Sequence, residues 1–413
     1  MATRDSGAGP LAGQLIAYAA GAGDIEQARN VSARFVSAGG KTDPAVRRRC
    51  STKPLYTSRR MKRFTINALF LAVLTAGWLL TTTAPAQNGG ASGNGKLKFR
   101  VMYTSSHLPA EAQKVLKAAH GGFAIDRRSG KGETYFSLPG AGIIQISADM
   151  KSTRMVDTDP AMKGTNLHNT TIWNAPDGTA YLAFPGNGSA SVYTTTLDGK
   201  LVHTLKTPAG GTDMGHPIAT DYFAGRGSFI PTDVEQLDGM YYVSTGYSNL
   251  DFVLTAKIQP GSAFRAAWHD LAFGGRGTGQ GQLGTGHGIT VPPGTKRVDV
   301  ADRPNSEIER YTRYGQYMET LKMPLGSFPC DTYYHGKYLV VGSLHGPDRS
   351  KGAPIYIFED DKLVSTVMPK EDLGLANFQH IHNAVMREYN GKLFLIAQAW
   401  NPGDFAILEQ VTD

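Results

Sequence analysis

GHGITVPPGTKRVDVADRPNSEIERYTRYGQYMETLKM, residues 286–323, carries four short runs rich in β-branched and aromatic residues, parted by Pro-Pro-Gly, Asp-Arg-Pro-Asn and Tyr-Gly turns. Proline and glycine break regular pairing, so the runs read as strands at 288–291, 297–301, 307–312 and 317–323. The phrase recurs. A second copy is LHNTTIWNAPDGTAYLAFPGNGSASVYTTTLDGKLVHTL (167–205); others begin at 231, 329 and 381, with a weaker first copy at 120–155. Units of four strands about 40–60 residues apart are the mark of blades repeated around an axis. The expected fold is therefore all-β, a six-bladed β-propeller, and a pair of β-sandwiches is the competing reading.

Closure supports six. The last copy has three strands before Asp413, and KLKFRVMYT (96–104) is a strand with no partner of its own. Set as the outer strand of the last blade, it joins the two ends and removes two exposed edges. Helical patterning is confined to 109–119.

Residues 61–86, MKRFTINALFLAVLTAGWLLTTTAPA, place two basic residues before an apolar run that ends in small residues. That is the order of a secretory signal peptide, with cleavage expected before Gln87; an uncleaved anchor is the alternative. Residues 1–60 then read as a non-native or disordered extension, 87–95 as a linker and 96–413 as the propeller. The formal charge of +7 comes from the leader: residues 1–86 hold 12 basic and 4 acidic groups, leaving 30 and 31 beyond. A balanced remainder excludes nucleic acid as a partner on charge grounds. Cys50 lies in the leader, so Cys330 is a lone thiol and no internal disulfide is expected. Periplasmic or extracellular export follows, with no stable membrane insertion after cleavage, and a monomer is expected.

In a blade, the start of the innermost strand and the exit of the second strand share one mouth of the central channel. Aligned copies place His120, His168, Thr232, His287, Cys330 and His382 at the six strand starts. His168, His287 and His382 come from alternate blades, giving near three-fold symmetry, and three imidazoles with one open corner suit catalytic zinc. The blander reading is that these histidines satisfy backbone groups beside a wet channel. His120, His216 and His345 are accessory candidates: His120 from the neighbouring blade, His216 from a Gly-rich insertion able to reach over the mouth, His345 from a second-strand exit. His380 reads as connecting loop. Second-strand exits add Tyr247 and Arg303 as an acid/base and an anion holder, although packing and a salt bridge would explain each alone. Asp233 and Asp331 follow their strand-start residues and read as strand caps.

With these residues placed, the chain resembles the NHL-repeat propellers, and among them the peptidyl-α-hydroxyglycine α-amidating lyases. The likeness spans roughly 120–410. Its core is 229–310, where FIPTDV, VSTGYSN, FGGRGTGQGQLGTGHGI and VADRPNSEIERY follow in the family's order. The resemblance implies Zn2+ on His168, His287 and His382, a catalytic Tyr247 and Arg303, a structural Ca2+ on the axis, and cleavage of a peptidyl-hydroxyglycine to an amide and glyoxylate. Three departures stand out. The first blade reads Tyr135-Phe136-Ser137-Leu138-Pro139 where the family has a second arginine, with Arg127 and Arg128 expected on the opposite face. Asn383 replaces an aspartate that helps hold calcium, and the family's disulfides are missing.

The expected activity is a zinc-dependent carbon–nitrogen lyase acting on a small-molecule or peptide substrate. The alternative from another class is a non-catalytic propeller whose mouth binds a protein or glycan. A metal-dependent lactonase or hydrolase would call on Asp233 or Asp331 as general base.

Overall fold

The computed structural model describes residues 90–210 and 213–412. The leader and signal-peptide readings, and the expected cleavage point, lie outside these residues. No helix among the described residues is long and apolar enough to cross a membrane.

Six four-stranded antiparallel sheets form the blades, and in five of them the strands run in chain order. Blade 4 consists of Gly286–Thr290, Arg297–Asp302, Glu307–Thr312 and Tyr317–Lys322. Each boundary lies within two residues of the sequence reading. Blade 6 has the order Phe99–Thr104, Asp404–Gln410, Lys392–Trp400, His380–Tyr389. The first described strand thus pairs with the last, Phe99 opposite Gln410 and Thr104 opposite Ala406. That pairing closes the ring and covers the edge of Asp404–Gln410, with Phe99–Thr104 as the outer strand. Residues 92–95, expected as linker, are packed: Ser92 bonds Asp372 and the Met368 amide, and Asn94 accepts from the Thr366 amide.

The core lies between blades. Six apolar clusters each join two neighbours: Trp173 and Val192 of blade 2 meet Val234 and Leu254 of blade 3, and Phe136 and Ile144 of blade 1 meet Ile396 and Ile407 of blade 6. The other four interfaces follow the same plan. Both faces of each sheet are covered, so a strand such as Tyr338–His345 is buried at every position but its two ends instead of alternating. Each fully buried aliphatic or aromatic side chain contributes about 1.5–3 kcal/mol, which accounts for a ring that needs no disulfide.

Some elements differ from expectation. The third copy's outer strand is Arg265–Gly274, beyond the repeat as read. Short helices occur at Pro160–Lys163, Pro217–Ala224 and Pro369–Leu373, each opening on a proline whose missing N–H costs nothing in a first turn. His380 is the first residue of blade 6's inner strand, paired with Trp400, and not part of a loop. The expected helix at 109–119 is present as Ala110–Val115 continued by a 3-10 turn.

Candidate metal centre

The inner strands of blades 4, 5 and 6 each carry one extra residue at the mouth. The register slips between Gly286 and Ile289, between Pro329 and Asp331, and between Ile381 and Asn383. Such bulges re-aim side chains, and here they fall on His287, Cys330 and His382. In blade 2, His168 precedes strand Thr171–Asn174 and is tied in by its amide to the Pro185 carbonyl.

The three imidazoles meet. His168 Nε2 lies 3.0 Å from His382 Nε2 and 3.2 Å from His287 Nε2, and all three rings are wholly buried. The opposite nitrogen of each ring faces a backbone carbonyl: His168 Nδ1 to Thr232 at 2.6 Å, His287 Nδ1 to Cys330 at 2.7 Å, His382 Nδ1 to Gly121 at 2.9 Å. Each acceptor belongs to the next blade around the ring. A carbonyl only accepts, so Nδ1 carries the hydrogen and Nε2 presents a lone pair. Burial first, and then nearby charge, holds these rings below their ordinary pKa: the His382 ring and Arg303 act on His168, Arg303 and both other rings on His287, and Arg303 on His382, which falls to about 3.

Three lone pairs aimed at one another repel unless a cation lies between them. Metal–nitrogen bonds of about 2.0–2.1 Å in a tetrahedron put ligand nitrogens about 3.3 Å apart. Two of the three edges, at 3.0 and 3.2 Å, come near that length, and backbone tethers of this kind are the outer contacts that orient histidines at metal sites. The donor set therefore suits a divalent metal. His120 adds a fourth ring: it, His168 and His382 bring one nitrogen each within 4.8 Å of one another. The triad whose nitrogens all lie within that distance of one another thus shares His168 and His382 with the sequence-based set, while His287 reaches the cluster through His168.

Tyr247 and Arg303 stand beside the cluster. The phenol lies 3.0 Å from His287 Nε2 and receives a hydrogen bond from Arg303 Nη1 at 2.9 Å, while Arg303 Nη2 donates to Cys330 Sγ at 3.1 Å. The preceding glycine allows this approach: a Cβ on Gly246 would fall 2.3 Å from the Gly286 carbonyl oxygen. Arg303 is only 4% exposed.

Other candidates fall elsewhere. His345 packs its ring on His380 and Phe328. His216 precedes helix Pro217–Ala224 and packs on Phe252. Arg127 bonds Tyr333 and the Tyr334 carbonyl toward the far end of blade 5's inner strand, and Arg128 pairs with Asp126. No first-blade arginine is brought to the cluster by these contacts.

One residue further along each inner strand lies a second layer, built from Asn169, Asp233, Asp331 and Asn383. Asp233 accepts from the amides of Val234 and Ile289. Asp331 accepts from the Thr332 amide and from the side-chain amides of Asn169 and Asn383. Burial pushes the Asp331 carboxyl up to about 8 and nearby Glu235 to about 7. Because Asn383 Oδ1 accepts from the Phe123 amide, its nitrogen faces Asp331. Calcium takes a cage of oxygens, and a nitrogen at this position does not fit one. Sequence reading had Asp233 and Asp331 as strand caps; the contacts to Ile289 and Asn169 reach into other blades.

No protein-family model matches the chain, and no curated protein matches it. Solved structures do. Selenomethionine-substituted virginiamycin B lyase from Staphylococcus aureus aligns at 10% identity over 76% of this chain and 100% of its own, with a TM-score of 0.46. A streptogramin B lyase aligns at 11% identity over 76% and 98%, TM-score 0.43. A chain of a nidogen–laminin complex aligns at 11% identity over 72% and 96%, TM-score 0.42. At such identities the likeness assigns no family and no activity.

Proposed function

We propose that this chain is a metal-dependent carbon–nitrogen lyase that splits a carbinolamide into a primary amide and a carbonyl product such as glyoxylate. One observation carries the reading: the tethered rings of His287 and His382 both bring Nε2 to that of His168, with a phenol and a guanidinium alongside. A zinc ion held by His168, His287 and His382 would supply Lewis acidity toward the carbinol oxygen.

The chain's own groups handle position and protons. In the reaction the carbinol O–H loses its proton, the C–O bond becomes C=O, and the C–N bond breaks with its electrons going to nitrogen. Nitrogen then takes a proton, so the substrate's atoms are all accounted for in the amide and the carbonyl product. Tyr247 is placed to accept the first proton and return it to nitrogen, the task of a general acid–base. Arg303 holds the phenol oxygen in place at 2.9 Å. The buried rings of His168, His287 and His382 exclude bulk water, which strengthens each polar contact there. Export to the periplasm or outside the cell belongs to this reading and rests on residues 61–86.

Tyr247→Phe tests it. Turnover of a peptidyl-hydroxyglycine should be abolished while metal content stays at the wild-type level. Loss of metal in that variant would mean that the phenol is a ligand and the assigned role is mistaken. A purified wild-type protein that is folded and takes up no divalent metal would favour a propeller whose mouth binds a protein or glycan.

A further inference from the structure

We propose that His120 is a fixed hydrogen-bond donor at this centre and not a fourth ligand, its tautomer set by a two-amide relay that begins at the Pro231 carbonyl. The relay has one polarity. Pro231 offers only a carbonyl oxygen, and Asn187 Nδ2 donates to it at 2.8 Å. Asn187 must then turn its Oδ1 the other way, where Asn166 Nδ2 donates to it at 3.0 Å. The same Asn166 nitrogen lies 2.9 Å from His120 Nδ1. Its second hydrogen goes to that ring nitrogen, which is therefore the acceptor. A neutral imidazole has one hydrogen, so in His120 it sits on Nε2.

Reversing the chain is costly at every link. Turning Asn166 alone sets two amide oxygens against each other at 3.0 Å. Turning Asn187 as well sets its oxygen against the Pro231 carbonyl at 2.8 Å. Side-chain amides are oriented by their networks, and this one ends on a group that can only accept.

The ring is also held in plane. Trp400 stacks on it at 5.3 Å and 29°, and its edges meet His168 and His382 at 4.5 Å each. Four clustered imidazoles thus divide into two kinds. His168, His287 and His382 carry hydrogen on Nδ1 and present Nε2 lone pairs; His120 carries it on Nε2 and has none to give. Taking the metal reading above as given, the centre keeps three ligands and an open position, with an N–H beside it to orient a substrate oxygen. Asn166 and Asn187 are positioning residues that act through His120.

Long-range 1H–15N correlation of the histidines in the metal-free full chain tests the assignment without any substitution. The expected result is an Nε2–H pattern for His120 and Nδ1–H patterns for His168, His287 and His382. An Nδ1–H pattern, or a doubly protonated ring, at His120 overturns it. X-ray absorption of the zinc-loaded chain should then count three imidazoles, and four would overturn the proposal. In Asn166→Asp the new carboxylate accepts from Nδ1–H, frees Nε2, and should raise the count to four; a count that stays at three overturns the relay. Failure to take up zinc at all would sink the metal reading, while the tautomer of His120 would still be decided by the first measurement.

Discussion

Two layers of side chains meet on the axis, one residue apart along the same inner strands, and they meet opposite electrostatic problems. In the upper layer every tether is a backbone carbonyl, so His168, His287 and His382 turn Nε2 lone pairs inward, and the Tyr247 phenol is in hydrogen-bond reach of the His287 one. In the lower layer the tethers are donors: backbone amides hold Asp233 and Asp331, and two asparagine amides close on Asp331. The first arrangement suits a cation. In the second, N–H groups meet both carboxyls, while the buried Oδ1 of Asn169 has no hydrogen-bond partner. The backbone group that faces each side chain is what distinguishes the two layers.

The largest expected effect separates the layers by metal content. His168 touches both other rings, so His168→Ala should lower zinc from about one per chain to below about 0.1, measured by atomic emission, because two ligands rarely hold this ion. Asp331→Asn should leave it unchanged. Loss of zinc in Asp331→Asn would merge the two layers into one site and break the comparison.

Asn383→Asp puts a second carboxylate against Asp331 in a wholly buried place. A loss of about 3 kcal/mol in urea unfolding is expected, with calcium restoring part of it. A neutral outcome in chelator would mean that the lower layer accommodates the added carboxyl without a cation.

Zinc at a hundred times its dissociation constant should stabilise the chain by about 2.7 kcal/mol, seen as a rise in melting temperature that chelator reverses. Calcium should produce no such shift in the wild-type chain.

The smallest effect is one of slope with pH. Asp331 and Glu235 are raised on folding, to about 8 and about 7. Their contribution is fully present below the usual carboxylate range and is lost as pH rises through those values. His382 is lowered to about 3. Its contribution is present above the usual imidazole range and is lost as pH falls. Metal-free protein should therefore weaken at both ends. Asp331→Asn should flatten only the alkaline limb, by about 1 kcal/mol or more between pH 6 and 9 in urea titrations. Flattening of the acid limb instead would reverse the assignment.

Much of this was legible in the chain. Blade 4 reads within two residues because Pro-Pro-Gly and Tyr-Gly punctuate it. The outer strand Arg265–Gly274 was not legible, since only Ala272 and Phe273 of it are buried and its other residues are exposed or half-buried. The helix Pro217–Ala224 is too short to show one. His380 looked like loop because the bulge at His382 shifts the alternation just where the strand begins. His120 stood at its strand start in sequence, yet its difference from the other three histidines was invisible there.

Spacing of turns and apolar runs along the chain determined six blades, the closing strand 96–104 and the four strand-start histidines, because a repeat imposes its period locally. Only the tertiary structure decided what those histidines face. Thr232, Cys330, Gly121 and the Pro231–Asn187–Asn166 relay reach the rings from other segments of the chain. A hydrogen bond's direction depends on which group arrives opposite, and that partner comes from another blade.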